Sequence, residues 1–519
     1  AASSLVVQLI YQQLRDARNG LGPLGRRAFA ATPGDGRRGI RSISTQMHFG
    51  IGRFSDSGQR GGVTVTNLNP DPDIGASAWM VDCDGHHLLL DSGVHPEWEG
   101  RSGLPLFDRV KDVALDAIAI SHCHHDHVGS LPVALRYFPA AQVFMTDLSY
   151  FLVERVLHNS VNVMLRQRAE MGIRDYPLYS HEEVDDYAAV FQGVTCRREI
   201  DWVSQPSGRS GRSPTLEFWD AGHTLGAAGI RVRGARQTLF YSGDVCFHDQ
   251  TLLKAARLDD VRADILILET TRGAREMAPS FSREDEMERL GQSIEEVLEA
   301  RGSVLIPAFG LGRTQEILAD LALWMRGGRW KMRPVHIGGL GRVFTEIYDH
   351  MAHRTHRSHP RLRLTEALEL KVLSPRELDG ISLSGGKLFV LTAGMMSENT
   401  AAHDLAARMM GDSRHAIFFV GYSAPNTPAG RLRAAQDGQK FLFSASAGEL
   451  TRRCRVEEFD LTAHANRQDL LEWVGTVDPR VVILGHGDAP AREWFANEIG
   501  LRWPGIRVVQ LGPGESARC

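Results

Sequence analysis

Residues 121–132 read SHCHHDHVGSLP, and no other stretch restricts the fold of this chain so strongly. Four histidines and an aspartate fall between positions 122 and 127, after the largely apolar run Ala114–Ile120 and just before Gly129. A packed core gains little from clustered imidazoles, because each ring has a polar edge that must find a partner or stay wet. The pattern makes chemical sense when the rings converge on a bound cation. Alternate residues at a strand end can point the same way, and the turn that follows brings the next pair round. The run therefore predicts a strand ending at a sheet edge, with a metal site on the loops beyond it.

The same style recurs on both sides of this run. From about 62 to 270, short β-rich segments such as HHLLLDSG, LEFWDAGH, TLFYSGD and DILILET end in polar clusters. The rhythm then changes: helix SREDEMERLGQSIEEVLEARG, strand SVLIPAF and helix RTQEILADLALWMRG open an alternating α/β region running to about 459. VVILGHG returns to the first style, so the α/β region reads as an insertion within a sheet-based domain. The expected division is an N-terminal arm over 1–45, a first domain part over 46–273, the insertion over 274–459 and the domain's return over 460–519. The arm is rich in Arg and Gly and poor in acids.

At 519 residues the chain exceeds one ordinary core, and 43% hydrophobic with 24% charged residues fits a folded globular protein. A net charge of -4 gives no global attraction to polyanions, so any nucleic-acid surface must be local. Six cysteines without short paired spacing indicate neither a disulfide framework nor a Cys-based zinc site, and point to a reducing, cytoplasmic setting. No apolar run approaches the roughly 20 residues that span a bilayer, so no membrane partner is expected.

Further strand-end groups join the opening run: His223 in DAGHTLGAA, Asp244 in YSGDVCF and His486 in LGHGDAP. Together with His122, His124, Asp126 and His127 they exceed what one tetrahedral catalytic site uses. They fit two metals that share a bridging carboxylate, with zinc suited to imidazole and carboxylate donors and manganese as the alternative. His125 is not at a ligand spacing.

Asp91 in LLLDSGVHPEWEG, the H-x-H-x-D-H run, His223, Asp244 and His486, in this order, resemble the metallo-β-lactamase superfamily. The inserted segment resembles its β-CASP branch, whose members are chiefly RNA and DNA nucleases. The similarity covers about 65 to 500. It implies an α/β fold, an αββα sandwich carrying an inserted α/β domain. It also implies two zinc ions, one held by His122, His124 and His223, the other by Asp126, His127 and His486, with Asp244 bridging. Asp126 and Asp91 count among the catalytic residues, and Asp91 would orient a water or a ligand histidine. Glu269 in DILILETTRG and His464 in DLTAHANRQDLL fall at the family's motifs A and B. A carboxylate beside a histidine favours the imidazolium, a competent general acid for the departing oxygen. Histidine at position 486, the family's motif C, implies RNA rather than DNA.

LIPAFGLGRTQEIL resembles the family's P-x-F-x-x-G-R-x-Q-E segment. Gly312 and Arg313 could offer backbone N–H groups and a fork donor to a phosphate, or Arg313 could pair with an acid to hold strand and helix together. The stretch from Arg326 to Arg363 is the most basic of the chain, with Trp324 and Trp330 interleaved; it reads as an RNA surface or as a solvated cationic face. His350, His353, His356 and His359 recur every third residue, a spacing that drifts around a helix and argues against a third metal there. The expected activity is a zinc-dependent ribonuclease acting on single-stranded RNA in the cleft between sandwich and insertion, with endo- and 5′-exonuclease modes both open. The competing readings are a DNA nuclease, a catalytically silent RNA-binding scaffold and a small-molecule hydrolase. A homodimer or a larger complex is left open.

Overall fold

Ile265–Glu269 is buried at every position, and its side chains alternate between two apolar layers. Ile265 and Ile267 enter a layer with Val65, Trp79, Leu88 and Ala117, while Leu266 and Leu268 pack outward with Trp473, Val474 and Phe495. Val481–Gly485 does the same, with Val481 and Ile483 inward and Val482 and Leu484 outward. A period of two with both faces apolar is what a strand covered on both sides requires.

The computed structural model describes residues 62–203, 213–278, 280–373 and 375–519. The arm expected over 1–45 lies outside them. In the first sheet β1 (Val63–Asn67), β2 (Trp79–Cys83), β3 (His86–Leu90), β4 (Ala117–Ile120), β5 (Gln142–Thr146) and β6 (Phe191–Val194) lie in chain order, with β22 (Ser516–Arg518) against β1. The second sheet runs from β7 (Ile200–Asp201) through β8 (Thr215–Asp220), β9 (Ala228–Arg233), β10 (Thr238–Tyr241) and β11 (Ile265–Glu269) to β20 (Val481–Gly485) and β21 (Arg507–Gln510). The inner faces of both sheets share one core, and helices cover both outer faces, giving the αββα sandwich expected from the sequence.

Between β11 and β20 the chain leaves the sandwich. β12 (Val304–Ala308), β13 (Val335–Ile337), β14 (Leu370–Val372), β15 (Leu388–Thr392), β16 (Ala416–Phe419) and β19 (Arg455–Glu458) form a parallel sheet in the order β14-β13-β15-β12-β16-β19. A hairpin of β17 (Lys440–Ser444) and β18 (Gly448–Thr451) stands beside it. Four helices enter the argument below: α1 (Asp147–Met171), α2 (His181–Tyr187), α3 (Arg283–Glu299) and α4 (Arg313–Arg326). Apolar residues of α1, α3 and α4 and of the loop at Leu252 and Leu253 belong to one continuous cluster, so the inserted sheet rests on the sandwich through a packed interface. No helix among the described residues is long and apolar enough to cross a membrane.

Candidate metal centre

The strands β3 and β4 of one sheet and β8, β10, β11 and β20 of the other all present their carboxyl ends at one edge of the sandwich, and the polar residues that follow them meet there. Asp91 and His486 adopt left-handed backbone (φ 60° and 48°) directly after β3 and β20, which turns each side chain back over its strand end. Ser77 N–H, Ser92 N–H and Val94 N–H donate to the carbonyls of Asp126, His127 and His125 at 2.9, 2.8 and 3.1 Å. Gly93 stands at this contact, where a Cβ would fall 1.7 Å from the Asp126 carbonyl oxygen. The loop after β3 is thereby locked onto the histidine turn.

Two groups of donor atoms result. In one, His124 Nδ1 lies 3.1 Å from both His122 Nε2 and His223 Nε2, and Asp244 Oδ2 is 3.6 Å from each of the latter. In the other, His486 Nε2 is 3.2 Å from both His127 Nε2 and Asp126 Oδ2, and Asp244 Oδ1 is 3.5 Å from His127 Nε2. Asp244 thus turns one oxygen to each group.

The outward nitrogens decide the tautomers. His223 Nδ1–H donates to the Ala463 carbonyl (2.8 Å), His124 Nε2–H to the Leu311 carbonyl (3.3 Å), and His127 Nδ1–H to Asp91 Oδ2 (2.7 Å). His122 Nδ1–H donates to Ser121 Oγ (3.1 Å), which donates to Asp91 Oδ2 (2.7 Å). When neutral, each of these four rings therefore aims a lone pair into the centre. Those of His122 and His223 each lie 3.1 Å from that of His124 and repel it. That spacing is close to the ~3.3 Å edge of a tetrahedron with metal–nitrogen bonds of about 2.05 Å. The donor set fits divalent metals, and Asp244 Oδ1, buried without a hydrogen-bond partner and 3.2 Å from His486 Nδ1, adds an anionic oxygen to it.

The electrostatics agree. Burial opposes charge on His127, but the carboxylates of Asp244, Asp126 and Asp91 outweigh it and push its pKa up to about 10. Burial together with neighbouring rings holds His122 and His223 well below the ordinary imidazole range. The carboxylates draw positive charge to His127, while His122 and His223 stay neutral.

Glu269, at the end of β11, and His464 meet across 3.0 Å, Oε2 to Nδ1. Val245 N–H and Thr271 Oγ–H also donate to Glu269, and His464 Nε2 comes within 4.0 Å of Asp244 Oδ2. Burial works against charge on His464, but Glu269 and Asp244 outweigh it and raise its pKa above the usual value.

Asp91 is enclosed, accepting from Ser121 N–H (2.6 Å), Ser121 Oγ–H, His127 Nδ1–H and Tyr241 O–H (2.7 Å). It therefore orients His127 rather than a water. Asp91→Asn, which tolerates the left-handed backbone, is expected to weaken metal affinity by about 10- to 100-fold. A competition titration with a chromophoric chelator checks this. Ser121, Tyr241 and Thr271 are the participants that sequence reasoning missed; only Ser121, next to the histidine run, carried a positional hint.

Gly312 and Arg313 both make contacts within the protein. Gly312 N–H donates to Gln315 Oε1 at 2.8 Å, and Thr314 N–H to the Phe309 carbonyl at 3.1 Å. Gly312 has φ 91° and a Cβ there would fall 2.7 Å from Thr224 Cγ2, so glycine serves close packing against the residue beside His223. Arg313 is buried, with Nη2 3.5 Å from Gln250 Oε1, and burial beside Arg283 pulls its pKa down to about 10. In the same helix Glu316 accepts from Leu252 N–H and Leu253 N–H (2.7 and 3.1 Å), and Asp320 from Thr251 Oγ–H (2.5 Å). The motif fastens the insertion to the loop after Asp244.

Part of the basic stretch is also engaged. Arg329 pairs with Glu288 and lies over Trp324 and Trp330, Arg354 pairs with Asp147, and Arg357 is buried against the Tyr348 carbonyl. His350, His353, His356 and His359 form no ligand group among the described residues. His125 is exposed, as its spacing implied.

Three family models match the chain: the metallo-beta-lactamase superfamily over 71–195, the Beta-Casp domain over 314–432, and a Zn-dependent metallo-hydrolase RNA specificity domain over 449–507. Among curated proteins, "Endoribonuclease YSH1" of Candida glabrata is 28% identical over 434 residues, covering 81% of this chain and 54% of that protein. The Saccharomyces cerevisiae protein of the same name is 28% identical over 443 residues, covering 82% and 54%. "Cleavage and polyadenylation specificity factor subunit 3" of Dictyostelium discoideum is 26% identical over 464 residues, covering 86% and 56%. The chain spans about half the length of these relatives. A crystal structure of a protein of unknown function from Enterococcus faecalis V583 shares the fold, with a TM-score of 0.53 at 14% identity over 88% of this chain and 100% of that one.

Proposed function

We propose, for a chain that belongs to the β-CASP branch of the metallo-β-lactamase superfamily, that it hydrolyses RNA phosphodiester bonds with two divalent metals held around Asp244. The observation that carries this reading is Asp244 itself, one oxygen facing each ligand group and Oδ1 buried without a partner. His122, His124 and His223 hold one metal and Asp126, His127 and His486 the other. Zinc is the metal the donor set and the RNA-specificity model favour, with manganese as the alternative. When bound, such a pair supplies Lewis acidity to the phosphoryl group and lowers the pKa of water for attack.

The chain's own residues supply the rest. Asp91 and the Leu311 and Ala463 carbonyls hold the rings in the ligating tautomer. His464, kept protonated by Glu269, delivers a proton to the departing oxygen; its side chain is 21% exposed against 1% for Glu269, so substrate reaches the histidine and the carboxylate stays behind it. Phe309 and Tyr422, 37% and 57% exposed, follow the carboxyl ends of β12 and β16 and line one groove with Gly394 and Ser423. Leu311, whose carbonyl anchors His124, is two residues from Phe309. The two rings offer stacking faces to RNA bases: Tyr422→Ala is expected to weaken binding of single-stranded RNA by about 1–3 kcal/mol, raising KM with little change in kcat. Single-turnover kinetics across RNA concentrations measure this.

The domain division adopted is 46–273 and 460–519 for the sandwich and 274–459 for the insertion, supported by β11 and β20 lying side by side in one sheet. The six cysteines are all free thiols, which supports a reducing, cytoplasmic setting. The relatives' names support endonucleolytic cleavage, and the subunit name of one supports action within a larger assembly. The test is cleavage of matched RNA and DNA strands by zinc-loaded protein: RNA is cut and DNA is spared, whereas preferential cutting of DNA would overturn the RNA assignment.

A further inference from the structure

Away from the dinuclear centre, α1 and α2 lie against each other on the outer face of the first sheet. α1 carries Glu154 and His158, four residues apart and so on one face; α2 carries His181 and Asp185 with the same spacing. One donor atom each of Glu154, His158 and Asp185 lies within 4.8 Å of the other two. The other groups of this kind among the described residues are all built around Asp244 or the neighbouring Asp126, His127 and His486.

The hydrogen bonds around His158 repeat the device seen at His127. His181 Nε2 lies 3.2 Å from Asn162 Oδ1, and His181 Nδ1 lies 2.8 Å from His158 Nδ1. Followed from the amide oxygen, His181 donates from Nε2 and accepts at Nδ1, so His158 donates from Nδ1. The other nitrogen of His158, Nε2, then faces Asp185 Oδ1 at 3.3 Å. At His127 the outward nitrogen is likewise tied to the protein while the inward one meets carboxylate oxygens.

We propose that Glu154, His158 and Asp185 bind a divalent transition-metal ion of the zinc or manganese class, with His181 and Asn162 orienting the histidine. Two hard oxygens and one imidazole suit such an ion, and the exposed side at Asp185 leaves room for water to complete the coordination. The site lies along a helix that meets the insertion at both ends. Asp147 pairs with Arg354, while Arg166 Nη1 lies 3.4 Å from the Asn399 carbonyl and Glu170 accepts from Asn399 Nδ2 at 2.6 Å. A metal joining α1 to α2 steadies the support on which the inserted sheet leans.

The test is a metal count. The full chain is loaded with Zn2+ and, separately, with Mn2+, freed of unbound ion by gel filtration, and measured by mass spectrometry beside His158→Gln, Asp185→Asn and Asp244→Ala. The proposal predicts one ion fewer per chain in His158→Gln and in Asp185→Asn than in the wild type, whichever metal is used. The same deficit is expected on an Asp244→Ala background, which separates this site from the dinuclear centre. Asp185 is exposed, so its variant keeps the test open should His158→Gln fail to fold. Folded variants that carry as many ions as their parent chains overturn the proposal.

Discussion

Asp244→Ala is expected to abolish RNA cleavage, by about a thousandfold or more. The carboxylate turns Oδ2 toward His122 and His223 at 3.6 Å and Oδ1 toward His127 at 3.5 Å. Losing it removes an anionic ligand from both metals and lets the two ligand groups separate. A metal pair contributes several kcal/mol to transition-state stabilisation, and each ~1.4 kcal/mol is tenfold in rate. Asp244 Oδ1 has no hydrogen-bond partner in the protein, with His486 Nδ1 standing 3.2 Å from it, and the fold is expected to hold. Single-turnover rates, a metal count and circular dichroism on the same preparation check the three parts together.

The second large effect falls on the proton donor. His464→Ala is expected to lower the rate by about 10²- to 10⁴-fold while the metal content stays at the wild-type level. The sign of the pH effect follows from the raised pKa of His464. The acid form is present below that pKa and lost as pH rises through it, so the rate of the wild type falls on the alkaline side. Glu269→Gln takes away the nearest carboxylate, lowers the pKa of His464 and moves the falling limb to lower pH. A pH–rate profile of the three proteins reads this directly. An unmoved limb in Glu269→Gln would assign the proton transfer elsewhere.

What could be read in the sequence was whatever repeats locally. Strands such as Ala117–Ile120, Ile265–Glu269 and Val481–Gly485 declare themselves by apolar runs that stop at a polar residue, and the sandwich follows because each needs cover on both faces. The histidine run, His223, Asp244 and His486 stood out because each directly follows such a strand or lies a few residues beyond it. What could not be read depends on partners distant in the chain. Arg313 and Glu316 contact Gln250, Leu252 and Leu253, more than 60 positions away, so the motif's local wording left a phosphate cradle and a structural tie both open. The arginines from 329 to 357 read as an RNA surface or as a solvated cationic face, and Glu288, Asp147 and the Tyr348 carbonyl take up Arg329, Arg354 and Arg357. Glu154 and His158 passed unnoticed for the same reason: a four-residue spacing on one helix means little until a second helix brings Asp185 alongside.

The most direct measurement of the central claim is cleavage of a single-stranded RNA, linear and circular, by zinc-loaded protein, by the same protein stripped with chelator, and by the stripped protein after zinc is returned. The account predicts that the loaded protein cuts RNA, the circle included, that stripping abolishes cleavage and that zinc restores it. A folded, zinc-loaded protein that leaves both RNAs intact, or a stripped one that cuts as fast as before, would contradict it.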